Sequence, residues 1–240
     1  MRIVVELAPS RNRDALEEVL RSIKDFVDTV FFPEAPLGIP MVLAVAWAWI
    51  ARSMGFHSIA SVRLCDVNLN ALVSIARAAE LLELEGILIV RGDPPKHGRC
   101  VAEIGSEEAV EILRRYVRRL RLGLVVSMAK SFEEIETRLR RARPSFVFVT
   151  RLWSKDPKLV EVSKRCRELG TELYPYVVVA PTEEERMRIY NLLQGHQPVY
   201  LPNEVPNIVD ELEPYVDGIV LTAPGYPKTL VEALRILSRR

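Results

Sequence analysis

Two short stretches place acidic side chains where an acid is costly. In Ile3-Val4-Val5-Glu6-Leu7 a glutamate sits inside an apolar run. In Ile87-Leu88-Ile89-Val90-Arg91-Gly92-Asp93-Pro94-Pro95 four aliphatic residues deliver an arginine and an aspartate, and two prolines stiffen the turn after them. A carboxylate in apolar surroundings is unfavourable unless it is hydrogen-bonded or used. Burial also lifts its pKa toward neutrality, which makes it a general acid. Glu6 is therefore a candidate acid, the alternative being a structural pair with a rim arginine. Asp93 is a candidate second carboxylate or a turn aspartate before proline. Arg91 offers a planar fork for phosphate or carboxylate, or an ion pair with Asp66 or Glu6.

Other groups are weaker candidates. Lys130 would form a Schiff base with a carbonyl substrate, or stand as a solvated residue at a helix start. His57, His97 and His196 are too scattered for a metal set, and His97 lies in a loop, Lys96-His97-Gly98-Arg99, suited to covering a ligand or to plain exposure. The arginine-rich stretches 114–121 and 138–143 fit an acidic partner or RNA, or simply complement helix dipoles. No Gly-x-Gly-x-x-Gly and no Walker loop is present.

These residues need elements to hold them, and the chain supplies an alternating series. Apolar strand-like runs fall at about 2–7, 28–32, 57–64, 86–90, 122–127, 145–150, 172–179 and 217–222. Helix-like segments lie between them: 11–26, from beyond Pro40 to near Gly55, from Asn68 or Asn70 to Leu84, and from a Ser106 cap. The later helices are 131–141, 157–169 closed by Gly170, 182–193, and one opened by Pro227. Residues 194–215, rich in Pro and Asn, are the least regular. Eight strands alternating with eight helices over 240 residues predict one single-domain (β/α)8 barrel spanning 1–240, with an open doubly wound sheet as the alternative. Chemistry in such a barrel sits at the carboxyl ends of strands. That rule gathers Glu6, Arg63, Asp66, Arg91, Asp93, Lys130, Thr150 and Arg151, beside Glu34, Tyr174, Tyr176 and Thr222.

Composition narrows the partners. The net charge of +1 gives no field toward nucleic acid or an anionic membrane. The apolar run 41–51, with Trp47 and Trp49, is too short to span a bilayer and predicts a largely buried helix or a contact with another subunit, of the same chain or a partner. Cys65, Cys100 and Cys166 are odd in number and widely spaced, so neither a disulfide framework nor a zinc site is indicated. With no signal-like core in residues 1–9, a reducing, cytoplasmic setting is expected. Arginine far outnumbers lysine, which fits a thermophilic source.

Val5-Glu6-Leu7-Ala8-Pro9-Ser10 and Val90-Arg91-Gly92-Asp93-Pro94-Pro95 resemble the first- and fourth-strand ends of methylenetetrahydrofolate reductases. The stretch from Cys65 through Leu72 resembles the family's third unit. The resemblance implies a flavin-containing (β/α)8 barrel of methionine-forming one-carbon metabolism. Such a barrel passes a hydride from NADH or NADPH, through FAD, to a folate methylene group, giving the 5-methyl form. It assigns Glu6 as the acid that opens the substrate, Asp93 as the carboxylate beside flavin and pterin, and Arg91 as a FAD contact. Arg63 and Lys130 are expected as further cofactor contacts, and Thr150 and Arg151 as contacts to a folate or modified pterin. The chain departs from the family where the third strand offers a His, the fifth a Tyr and the sixth a Gln. Ser61-Val62-Arg63-Leu64-Cys65, Val126-Ser127-Met128-Ala129-Lys130 and Thr150-Arg151 carry none of these. Two other readings stand beside it: a non-redox pterin binder or partner-dependent subunit on the same scaffold, and a lyase or aldolase using Lys130.

Overall fold

The computed structural model describes residues 1–8, 12–101, 103–153 and 156–239. Pro9 and Ser10 of the first motif, and the expected helix start at Arg11, lie outside the described residues. Among the described residues nine strands run in chain order: β1 (Arg2–Glu6), β2 (Thr29–Phe32), β3 (His57–Arg63), β4 (Gly86–Val90), β5 (Arg121–Ser127), β6 (Phe146–Thr150), β7 (Glu172–Val179), β8 (Val199–Tyr200) and β9 (Gly218–Thr222). All pair in parallel. Neighbours pair in order from β1 to β7, β7 pairs β9, and β9 pairs β1, which closes an eight-stranded barrel. The two-residue β8 adds to the end of β7 outside that ring. The fold is a (β/α)8, or TIM, barrel, as the alternation predicts.

Helices α1 (Arg13–Ile23), α2 (Ala44–Ser53), α3 (Leu69–Leu81), α4 (Ser106–Leu113), α5 (Phe132–Ala142), α6 (Lys158–Leu169), α7 (Glu183–Leu192), α8 (Val205–Leu212) and α9 (Pro227–Leu237) follow the strands. Local chemistry sets several starts. Asn12, Asn68 and Thr182 accept from the amides of Ala15, Ala71 and Glu185. Ser131 and Glu134 form a reciprocal capping box on α5. Gly105, not Ser106, occupies the cap position of α4. The section 194–215 is more ordered than its composition implies, holding β8, a 3-10 turn (Pro202–Glu204) and α8. Pro202 and Pro206 sit in the first turns of those helices, where no amide partner is lost.

Helix α2 begins at Ala44, because the Glu34 carboxylate accepts from the Ala44 amide at 2.6 Å. Met41, Val42 and Leu43 precede it as exposed chain. Trp47 is buried, while Trp49 is exposed along with Leu37 and Ile39. The basic stretches are mostly exposed, and several of their arginines pair with the protein itself: Arg138 with Glu107, Arg140 with Glu136 and Arg141 with Glu111, while Arg114 donates to the carbonyls of Ala142 and Arg143. Among the described residues, no helix is long and apolar enough to cross a membrane.

Side chains fill the barrel in layers. At the amino end Arg2 and Arg121 share Glu85 at 2.6 and 2.7 Å, and Arg121 also holds Glu172 at 2.6 Å. Above this ion cluster Val4, Phe31, Ile59, Leu88, Phe146, Phe148, Tyr174 and Val220 form an apolar plug. Gly123 makes room for it: a Cβ there would lie 2.3 Å from the Phe146 ring. The outward residues of the same strands pack against the helices as a second, larger core. What remains open is the carboxyl-terminal mouth.

Candidate functional site at the barrel mouth

Glu6 is the last residue of β1, in register with Phe31 of β2 and Thr222 of β9. Strand alternation turns Val4 and Glu6 into the barrel and Val5 toward the helices. Tyr176 comes from β7, one strand beyond. Its hydroxyl donates to Glu6 Oε2 at 2.8 Å, and the Thr222 hydroxyl donates to Oε1 at 3.0 Å. Among the described residues no cation pairs with Glu6. Burial pushes its carboxyl above the ordinary value, and the two hydroxyl donors offset only part of that shift. The Tyr176 phenol is pushed well up, first by burial and then by the facing carboxylate.

Glu6 opens onto a cavity of about 460 Å³. Asp93 lines the same cavity, together with Ser61, Arg63, Thr150 and Arg151. So the two acids from the first and fourth strand ends face one space, above the plug. A second carboxylate, Glu34, joins them; burial raises its pKa, the nearby Asp66 adds to that, and the Ala44 amide and Arg63 oppose it.

Arg63 is buried and already engaged. It donates to the Asp93 carbonyl at 2.6 Å and to the Ala35 carbonyl, and its Nε lies 3.1 Å from Asp66 Oδ2. It is a strut between the loops after β2 and β4, and it takes the ion pair with Asp66 that strand-end position alone offers to Arg91. Gly92 lies against it in the left-handed region at φ +85°, where a Cβ would sit 2.5 Å from Arg63 Nε. Glycine alone satisfies both the angle and the approach.

Residues after α7 roof the mouth. Gln197 is buried; its Oε1 accepts from the Arg151 amide at 2.5 Å and its amide nitrogen donates to the Tyr176 carbonyl at 3.4 Å. Leu193 and His196 also line the cavity. Ala35 and Arg151, both on the rim, hold left-handed backbone at φ +38° and +60°. Such conformations in residues other than glycine are unfavourable and cluster at ligand sites.

Arg91 and Lys130 do not reach this mouth. They line a separate cavity of about 530 Å³ at the start of α4, with Arg138, Glu107 and Glu134. Lys130 pairs with Glu134 at 3.1 Å, whereas the exposed Arg91 guanidinium has no partner among the described residues. The wall of that cavity holds a Cys65–Cys100 disulfide with Cα atoms 4.4 Å apart. This corrects the expectation that no disulfide forms, and removes the cysteine argument for a reducing compartment. The pair is invisible in spacing because the loop after β4 folds back onto the end of β3. Tyr176 and Glu34 were legible as strand-end polar residues, but their roles were not. Gln197 had no signal, since nothing in 194–215 marks which residue turns inward.

No protein-family model matches the chain, and no curated protein matches it in sequence. Solved structures match its fold over nearly all of their own length. A Clostridium thermocellum protein that binds two copies of 5-methyl-5,6,7,8-tetrahydrofolic acid superposes with a TM-score of 0.68 at 8% identity, covering 100% of this chain and 96% of that one. A riboflavin lyase with modified FMN and riboflavin gives 0.62 at 10% identity, covering 100% and 91%. The tryptophan synthase alpha-subunit of Pyrococcus furiosus gives 0.60 at 12%, covering 99% and 95%. At these identities the likeness establishes the barrel alone, and the chemistry has to be argued from the residues of the site.

Proposed function

We propose that the mouth binds a reduced pterin of the folate class, and that the protein reduces its methylene form to the 5-methyl form with a flavin as hydride carrier. One observation carries this: Glu6, with a raised pKa and no cationic partner among the described residues, shares a ligand-sized cavity with Asp93. The folate-binding and flavin-binding barrels among the structural neighbours support the ligand classes.

Glu6, whose pKa burial raises, is the acid that gives a proton to the bridging nitrogen of a methylene-bearing pterin, which opens the ring to the iminium. The carboxylate left behind then accepts the Tyr176 and Thr222 hydroxyls at their present positions. Asp93 orients the pterin through its ring N–H groups and stabilises positive charge as it develops. Thr150 and Arg151 bound the pterin at the sixth strand end. The apolar plug beneath closes the site to water from below.

The Arg91 guanidinium, unpaired among the described residues, and the Lys130 ammonium, which Glu134 alone pairs among them, suit the diphosphate of a flavin dinucleotide in the side cavity, whereas Arg63 is already engaged in the scaffold. Such a cofactor, when bound and reduced by NADH or NADPH, supplies the hydride. The engagement of Arg63 also favours a second reading, a pterin binder that carries no flavin.

Visible spectra of the purified protein, with and without added FAD, together with titration of 5-methyltetrahydrofolate, test both. Flavin absorption plus folate binding supports the reductase, and folate binding by colourless protein supports the second reading. Failure to bind either overturns both.

A further inference from the structure

The segment after β4 carries Asp93 into the mouth and then runs, without helix or strand, past exposed Lys96, His97, Gly98 and Arg99 to Cys100. Among the described residues its hydrogen bonds to the rest of the protein are four: the Cys65 amide to the Arg91 carbonyl at 3.0 Å, Arg63 to the Asp93 carbonyl, the Lys96 amide to the Gly38 carbonyl at 2.9 Å, and the Val101 amide to the Cys65 carbonyl at 2.8 Å. Cys65 is buried at the end of β3, two residues beyond Arg63, while Cys100 is exposed. The disulfide between them bridges 35 positions of sequence and is the covalent tie that returns this loop to the barrel. Cys166 does not compete for exchange; it is buried, and burial pushes its thiol up to about 12.

We propose that the Cys65–Cys100 disulfide is a redox latch on the segment that holds Asp93 at the mouth. The reductant is a small dithiol. Its thiolate attacks Sγ of the exposed Cys100, the Cys65–Cys100 bond breaks, and Cys65 leaves as a thiolate that takes up a proton. The second thiol of the reductant then attacks the mixed disulfide, Cys100 leaves and is protonated, and the reductant departs as its cyclic disulfide. Two electrons and two protons pass to the protein. Opening the bond frees residues 94–101 and weakens the hold on Asp93, so ligand affinity at the mouth follows the redox state. That last consequence rests on the proposed pterin site; the latch itself does not.

Hydrogen exchange by mass spectrometry, on oxidised protein, dithiothreitol-reduced protein and Cys100→Ser, decides the matter. Exchange in 92–101 is expected to rise about tenfold or more in the last two, with β1, β5 and β9 unchanged. Unchanged exchange in 92–101 after reduction, with the freed thiols counted by alkylation, overturns the latch. Titration of 5-methyltetrahydrofolate runs in parallel. Affinity lost on reduction and regained on reoxidation supports control of the mouth, and equal affinity in both states overturns it. Absence of binding even in the oxidised protein counts against the proposed function only, because the exchange measurement still judges the latch.

Discussion

The Tyr176 hydroxyl donates to the Glu6 carboxylate at 2.8 Å across 170 residues of sequence, and that bond opposes the rise in the Glu6 pKa that burial causes. A donor aimed at a carboxylate stabilises its charged form and holds down a pKa that burial drives up. Tyr176→Phe therefore lifts the Glu6 pKa further. The high-pH limb of the reductase profile, where the acid loses its proton, should move to higher pH. A pH–rate profile of the folded variant reads this directly, and an unmoved limb would show that Glu6 is not the titrating acid.

The same shift has a stability consequence. The Glu6 pKa is raised in the folded protein above its ordinary 4.5, so between that value and the folded one the native state binds more protons than the unfolded chain. The penalty is absent below about pH 4.5 and grows as pH rises through the folded pKa. Glu6→Gln removes the charge. Its urea stability relative to wild type should increase across that window, and a constant difference would contradict the raised pKa.

Gly92→Ala places a methyl against the Arg63 side chain at a left-handed position. The expected loss is about 1–3 kcal/mol, read from urea midpoints. Because Arg63 also ties Asp93, ligand affinity at the mouth should fall with it.

Arg91→Ala removes a side chain with no partner among the described residues, so stability should stay within about 0.5 kcal/mol of wild type. Affinity for FAD should nevertheless fall while folate affinity persists. Equal FAD affinity in variant and wild type would remove the side cavity from the cofactor site.

Much of the barrel was legible in the chain. Parallel strands covered on both faces read as unbroken apolar runs, and Ile87-Leu88-Ile89-Val90 or Phe146-Val147-Phe148-Val149 admits little else. Helix ends were legible where a side chain caps its own turn, as at Asn68 and Ser131, or where a left-handed glycine closes it, as at Gly170. They were not legible where the cap comes from afar, as Glu34 does for α2. The helix α8 was masked because proline is tolerated in a first turn yet reads as a breaker.

The site divides along the same line. Strand-end position, a local property, marked Glu6, Asp93, Arg63 and Arg151 as polar residues of a rim. Closure of the ring decided the rest: that Glu6 meets Tyr176 and Thr222, that Arg63 is a strut, that Arg91 and Lys130 face a different cavity, and that Cys65 meets Cys100. Each of those partnerships spans dozens of residues or more. Periodicity along a chain reports which face a side chain takes, and only the packing of distant strands determines what it finds there.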